Sequence, residues 1–285
     1  MNKRIDTLCF PGGKHKALTL SYDDGVIQDR RLVQILNRYG LKCTFNIGSG
    51  VLGYQGSAVF SEKEVDVSKV SATEVKDLYA EHEVAGHGLY HSSLTDVGTP
   101  TAMYEIIEDR RQLEKIIEKP VYSFAYPFGT YNNTVKQILH LAGYRSARTV
   151  VSSHSFDLPE DFLEWNATCH HNDPQLMTLA KQFCQDSHRF LMPQLFYLWG
   201  HAYEFDGDDN WDVIETFADY VAQYADDIWF ATNGQIVRYV NAFRSLEYTT
   251  DASLIHNPTA TDLWICINGN TLAIPAGKTV SVTQP

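Results

Sequence analysis

The chain reads as an α/β protein built on a parallel sheet, open or closed, with a small antiparallel β appendage at its C-terminal end. Three observations predict this. Short apolar runs alternate with amphipathic helical stretches between about residues 17 and 231, the order that βαβ units produce. Several of those runs end in Asp, His or a Pro-Gly turn, the place where α/β folds present their reactive groups. Beyond about Tyr248 the helical pattern stops and short strand-like runs follow one another closely.

Leu18–Tyr22 is the first strand, followed by a helix near Asp29–Tyr39 that Gly40 closes. Cys43–Ile47 is a strand ending in a Gly/Ser turn. Ser71–Glu81 has a helical pattern, with Ser71 and Glu74 spaced as a capping box. Glu83–His87 is a short strand, Tyr104–Glu118 a helix stopped by Pro120, and Ser123–Tyr126 a strand running into Pro127-Phe128-Gly129. Asn133–Ala142 is a helix closed by Gly143, Leu195–Trp199 a strand entering Gly200-His201, Trp211–Ala225 a helix and Ile228–Ala231 a strand. In the tail, Leu254-Ile255, Asp262–Ile267, Thr271–Ile274 and Thr279–Val282 read as strands, with Asn268-Gly269-Asn270 as a hairpin turn. This appendage covers an edge or a barrel end, or binds sugar.

The 285 residues, 44% hydrophobic, suffice for one large core. A net charge of −12 argues against nucleic acid or an anionic lipid surface as partner. Sixteen Tyr and five Trp supply amphipathic faces suited to carbohydrate, although cores use the same residues. Cys9, Cys43, Cys169, Cys184 and Cys266 are scattered, odd in number and without a Cys-x-x-Cys. They predict neither a disulfide framework nor a zinc-thiolate site, but buried free thiols in a reducing compartment. The stretch from Met1 to Asp6 leads to Phe10-Pro11 without an apolar leader core, and no run is long enough to span a bilayer. The expectation is a cytoplasmic protein without membrane insertion.

The chemistry gathers at strand ends. Ser21-Tyr22-Asp23-Asp24-Gly25 sets two carboxylates side by side. On extended backbone they point in opposite directions, one free for a metal and one for substrate. A polar turn is the plainer reading. His87-Gly88-Leu89-Tyr90-His91 spaces two imidazoles four apart, which on a helical turn puts both on one face. A carboxylate with two imidazoles leaves open positions on a divalent ion for water and a substrate oxygen, the composition of a hydrolytic site. His201 reads either as a rim histidine or as a general acid, with Glu204 and Asp206 nearby in sequence to raise its pKa. The Pro127 turn offers backbone N–H groups to an oxyanion. Cys169-His170-His171 is set aside as a metal cluster, because adjacent side chains diverge; either histidine is a candidate for lining the cleft.

Taken together these motifs resemble the polysaccharide deacetylases of carbohydrate esterase family four, over roughly Ala17 to Phe230. Ser21-Tyr22-Asp23-Asp24-Gly25 matches the first motif, Thr-Phe-Asp-Asp-Gly. The match implies that Asp23 is the general base and Asp24 a metal ligand. His87 and His91 match His-(Ser/Thr)-x-x-His, with Gly88 in place of Ser/Thr, and are implied as the other two ligands. The third motif, Arg-x-Pro-Tyr-Gly, appears as Ala125-Tyr126-Pro127-Phe128-Gly129 and lacks its Arg, which in the family pairs with the catalytic Asp. Arg148, on the next strand, is expected to take over. Asp161-Phe162-Leu163-Glu164-Trp165 only echoes the fourth motif, Asp-x-x-Asp-Trp, and assigns no carboxylate to the catalytic histidine. In the fifth motif, Leu-x-His, Trp199 replaces Leu and His201 remains the acid.

The resemblance implies a distorted (β/α) barrel of about seven parallel strands over residues 1–247, with the appendage over 248–285. It implies metal-assisted hydrolysis of an N-acetyl or related acyl group on a sugar, with metal-bound water as nucleophile, Asp23 as base and His201 as acid. Tyr126, Pro127, Phe128 and Trp199 are the expected substrate and oxyanion residues. The expected metal is zinc, with cobalt, nickel or manganese compatible. Two alternatives stand beside this: a small-molecule amidohydrolase acting on non-peptide C–N bonds, and a sugar-binding protein with a degenerate site.

Overall fold

The computed structural model describes residues 6–60, 62–186 and 192–282; Met1–Ile5, read above for a leader, lie outside them. Along the chain the strands and α-helices are β1 (Asp6–Cys9), β2 (Lys16–Asp23), α1 (Asp29–Arg38), β3 (Cys43–Ile47), the hairpin β4 (Ser57–Phe60) and β5 (Lys63–Asp66), α2 (Ala72–Leu78) and β6 (Glu83–Gly86). Next come α3 (Thr99–Ile117), β7 (Ser123–Ala125), α4 (Asn133–Leu141), β8 (Ser146–Ser152), β9 (Trp165–Ala167), β10 (Cys169–His170), α5 (Leu176–Gln185), β11 (Gln194–His201), α6 (Ala202–Gly207), α7 (Trp211–Ala222), β12 (Ile228–Phe230) and α8 (Asn233–Arg244). Five short strands finish the chain: β13 (Glu247–Tyr248), β14 (Leu254–His256), β15 (Leu263–Ile267), β16 (Asn270–Ile274) and β17 (Thr279–Ser281).

The main sheet runs β10-β11-β2-β3-β6-β7-β8-β9, every pair parallel, with β12 added on β2. Only Thr168 separates β9 from β10, and its N–H donates to the Tyr197 carbonyl at 2.8 Å, so one stretch of chain joins the two ends of the sheet. The result is the nearly closed, distorted (β/α) barrel expected, with antiparallel sheets beside it. Leu18, Leu20 and Tyr22 of β2 face the helix layer with Leu32, Phe45 and Phe196. The alternate residues Thr19, Ser21 and Asp23 are buried on the barrel side. That interior is polar and paired. Thr19 donates to Asn233 at 2.9 Å, and Asn233 donates to the Tyr197 hydroxyl at 2.7 Å. The first N–H groups of α8 meet Thr44 Oγ1 at 2.9 Å and Glu83 Oε2 at 2.8 Å, so a helix N-terminus plugs the barrel floor against a carboxylate.

Local departures from the sequence reading have local causes. Glu74 is drawn to Arg30 at 2.6 Å and Ser71 makes no side-chain cap, so the expected capping box does not form. The helix placed at Tyr104 starts five residues earlier, at Thr99 with Pro100 in its first turn. The appendage hairpin β15–β16 turns at Asn268 and Gly269, both at positive φ, as a two-residue primed turn requires. Its sheet also contains β1, which pairs antiparallel with β15. Among the described residues no helix is long and apolar enough to cross a membrane.

Candidate active site

The C-terminal ends of the barrel strands form one mouth. Adjacent register pairs, His201 with Asp23, Asp23 with Asn46, Ile47 with Gly86, and Ala125 with Arg148, bring the motifs to one level. Asp23 and Asp24 do not point in opposite directions. Asp24 has φ 81°, which breaks the strand alternation and rolls its side chain back to the mouth. Both carboxylates therefore face His87 Nε2, at 3.9 Å from Asp23 and 3.8 Å from Asp24.

His87 and His91 are not on a helical turn. They lie in a loop after β6 in which His91 takes φ 56°. His91 Nε2 is 3.8 Å from Asp24 Oδ1, and the ligand atoms of Asp24, His87 and His91 all lie within 4.8 Å of one another. The loop hangs on two buried acids of α3. Asp109 accepts from the His87 N–H at 3.0 Å and from Ser49, and Glu105 accepts from the Tyr90 N–H at 2.9 Å. Burial pushes Asp109 up to about 7.

These three groups fit a divalent metal. His87 is buried, its Nδ1 lies 2.8 Å from the Ala125 carbonyl, and its Nε2 has no hydrogen-bond partner. That arrangement fixes the N–H on Nδ1 and aims the Nε2 lone pair at the mouth. Burial holds His87 down at about 4 and lowers His91, so both imidazoles are neutral. Burial alone would raise Asp24, but Lys69, 3.5 Å away, and the histidines bring it to about 2. Two neutral imidazoles and a carboxylate are a borderline donor set that suits zinc, cobalt or nickel.

Asp23 is buried beneath them. Its Oδ1 accepts from Asn46 at 2.8 Å and its Oδ2 from the Arg148 guanidinium. Burial would raise its pKa; Arg148, with His87 and His201, outweighs that and keeps it below the usual carboxylate range. Arg148 itself is fixed by Ser21 Oγ at 3.3 Å, the Thr149 carbonyl at 2.9 Å and the Trp199 ring, 4.3 Å from its guanidinium carbon. Trp199 is buried, so it is a wall behind Arg148.

On the other side His201 Nε2 is 3.9 Å from Asp23 Oδ2, and its Nδ1 is 3.3 Å from Glu204 Oε1. Burial would lower His201; Glu204 and Asp23 reverse that and raise it. Asp206 turns away to Gln28 and Trp211, and Asp161 and Glu164 pair with Lys136. Neither the second nearby acid nor the fourth-motif echo reaches the histidine. The adjacent His170 and His171 do not diverge: both Nε2 atoms approach Glu204 Oε2, at 3.1 and 3.2 Å. The Tyr126 N–H donates to the Arg148 carbonyl at 3.1 Å and its hydroxyl to Leu163 at 2.8 Å, so this residue is spent on structure. Pro127 is buried, while Phe128 is 63% exposed with its ring centroid 4.5 Å from His91.

The sequence reading did not find Asn46, Lys69, Glu105 or Asp109. Glu105 and Asp109 carried one signal, acids at i,i+4 on the buried face of an amphipathic helix.

Residues 11–147 match the polysaccharide deacetylase family. A polysaccharide deacetylase structure from Mycobacterium smegmatis aligns at TM-score 0.59 and 16% identity, over 83% of this chain and 94% of its own. A Bacillus anthracis protein described as a carbohydrate esterase family 4 pseudoenzyme aligns at TM-score 0.52 and 14% identity, over 80% and 66%. A Streptococcus pyogenes deacetylase shares 22% identity at TM-score 0.42, over 51% of this chain and 61% of its own. The match thus spans less than two thirds of the latter two chains. No curated protein matches. The matched segment stops one residue short of Arg148 and does not reach His201, while it contains Asp23, Asp24, His87 and His91. The matched segment, just under half of the chain, is thus similar to the polysaccharide deacetylase family, and the barrel is similar to that of the Mycobacterium smegmatis structure.

Proposed function

We propose that the protein is a metal-dependent hydrolase that removes an N-acetyl or related acyl group from a carbohydrate. The observation that carries this reading is the convergence of Asp24, His87 and His91 on one point, with the unpartnered His87 Nε2 aimed there. A divalent cation, zinc in the first instance, would be held by these three residues and would supply electrophilic activation of water and of the acyl oxygen. Asp23, kept ionised by Arg148, takes the proton of the attacking water. His201, whose pKa Glu204 raises, protonates the leaving nitrogen or oxygen. The Phe128 N–H in the mouth turn is the candidate oxyanion donor, and the exposed Phe128 ring a contact for the sugar. Ala125, where the family has its Arg, is what favours the rival reading of a sugar-binding protein with a degenerate site.

Metal content and acetate release from short N-acetylglucosamine oligomers, before and after adding zinc or cobalt, decide between them. Metal-dependent release lost in Asp23→Asn and His87→Ala supports the hydrolase. Bound metal without acetate release moves the substrate to another acyl or C–N compound. No metal and no turnover under any reconstitution would leave the binding protein.

A further inference from the structure

At the other end of the barrel a second group of ligand-type side chains comes together. Cys9 closes β1, His15 immediately precedes β2, and Cys266 lies in β15. The register pairs Cys9 with Trp264 and Thr7 with Cys266, which sets the two cysteines on one face at diagonal positions of neighbouring strands. Their sulfurs and a His15 nitrogen all lie within 4.8 Å of one another, and Cys9 Sγ is 3.8 Å from His15 Nδ1. Both cysteines are buried, at 0% and 1% exposure, while His15 is half-buried. Burial lowers His15, so its imidazole is neutral at pH 7. Burial and the neighbouring Cys266 push the Cys9 thiol up to about 12.

We propose that Cys9, Cys266 and His15 form a binding site for a thiophilic divalent cation, zinc in the first instance, at the seam between barrel and appendage. Two sulfurs and one imidazole nitrogen are a soft donor set that selects such an ion over magnesium or calcium. A water completes a tetrahedral shell on the half-buried side of His15. On binding, each zinc exchanges two S–H bonds for two Zn–S bonds and two protons leave to solvent. The ion ties β1, the base of β2 and β15 together, and it is independent of the deacetylase reading.

The test compares wild type, Cys266→Ser, His15→Gln and His87→Ala, purified under reducing conditions, loaded with zinc and desalted. Cys266→Ser is expected to hold one equivalent of zinc fewer than wild type, with acetate release unchanged. With cobalt as the probe, wild type and His87→Ala are expected to show a thiolate-to-metal charge-transfer band that Cys266→Ser lacks. His15→Gln, which keeps both thiols and serves if Cys266→Ser does not fold, is expected to bind cobalt at this site at least tenfold more weakly. Equal zinc content in wild type and Cys266→Ser, absence of the band in wild type, unchanged cobalt affinity in His15→Gln, or a Cys9–Cys266 disulfide by mass spectrometry would each overturn the proposal.

Discussion

Asp24, His91 and Phe128 adopt φ of 81°, 56° and 57°, a region L side chains rarely enter, and all three stand at the barrel mouth. Each conformation costs on the order of 1–3 kcal/mol, spent on turning a side chain toward a shared point. Around that point Arg148 and Trp199 belong together: the guanidinium that reaches Asp23 lies on the indole. Arg148→Ala is expected to cut kcat by roughly a hundredfold or more, the scale of a positioned acid–base group. With the cation gone Asp23 binds its proton more tightly, so the acidic limb of the pH–rate profile moves up; an unmoved limb would sink the pairing. Trp199→Leu is expected to lower kcat several-fold with KM little changed. Glu204→Gln removes the charge that raises His201, so the alkaline limb moves down, read from the kcat profile. Asp23, Asp24, His87, His91 and His201 were legible because motif and strand end coincide. The direction of Asp24 was not, because strand periodicity fails where φ turns positive. The convergence of His170 and His171 on Glu204 depends on α6 returning a carboxylate over the mouth, which no spacing reveals.

At the level of elements, register sets Arg148 level with the third-motif position. Ala125, the last residue of β7, is paired with Arg148 of β8, so under the proposed function the cation that serves Asp23 comes from the neighbouring strand at the same level. The double variant Ala125→Arg/Arg148→Ala is therefore expected to recover at least a tenfold part of the kcat lost in Arg148→Ala; no recovery would mean that the two positions are not equivalent. Gly200 in β11 serves a similar purpose: a Cβ there would sit 2.0 Å from His171 Nδ1, so Gly200→Ala must displace that imidazole from Glu204. The alternation of strands and helices was readable from hydrophobic period and from glycine and proline stops. The strand β8 was legible only as the next strand carrying Arg148, and the hairpin β4–β5, the strands β9 and β10 and the helices α5, α6 and α8 were not legible, because short strands and weakly amphipathic helices blur in one sequence.

For the whole molecule, the polar barrel interior makes the plug formed by α8 as much a part of the core as any apolar layer. The appendage is joined to it through Tyr239, whose hydroxyl donates to the Cys9 carbonyl at 2.7 Å and accepts from the Trp264 N–H at 3.1 Å. Tyr239→Phe strands the buried carbonyl and the part-buried N–H and is expected to cost about 1–3 kcal/mol of stability by urea unfolding; an unchanged midpoint would show that water replaces the hydroxyl. Pairings between the two ends of a sequence leave no local signal, which is why β1 and the Cys9–Cys266 approach were invisible beforehand. The same pairing has a consequence for biosynthesis. Strand β1 is translated before any part of the barrel, and its partner β15 only after all of it. Throughout that interval the nascent chain carries a strand with no mate, open to mispairing or to a chaperone until β15 clears the ribosome.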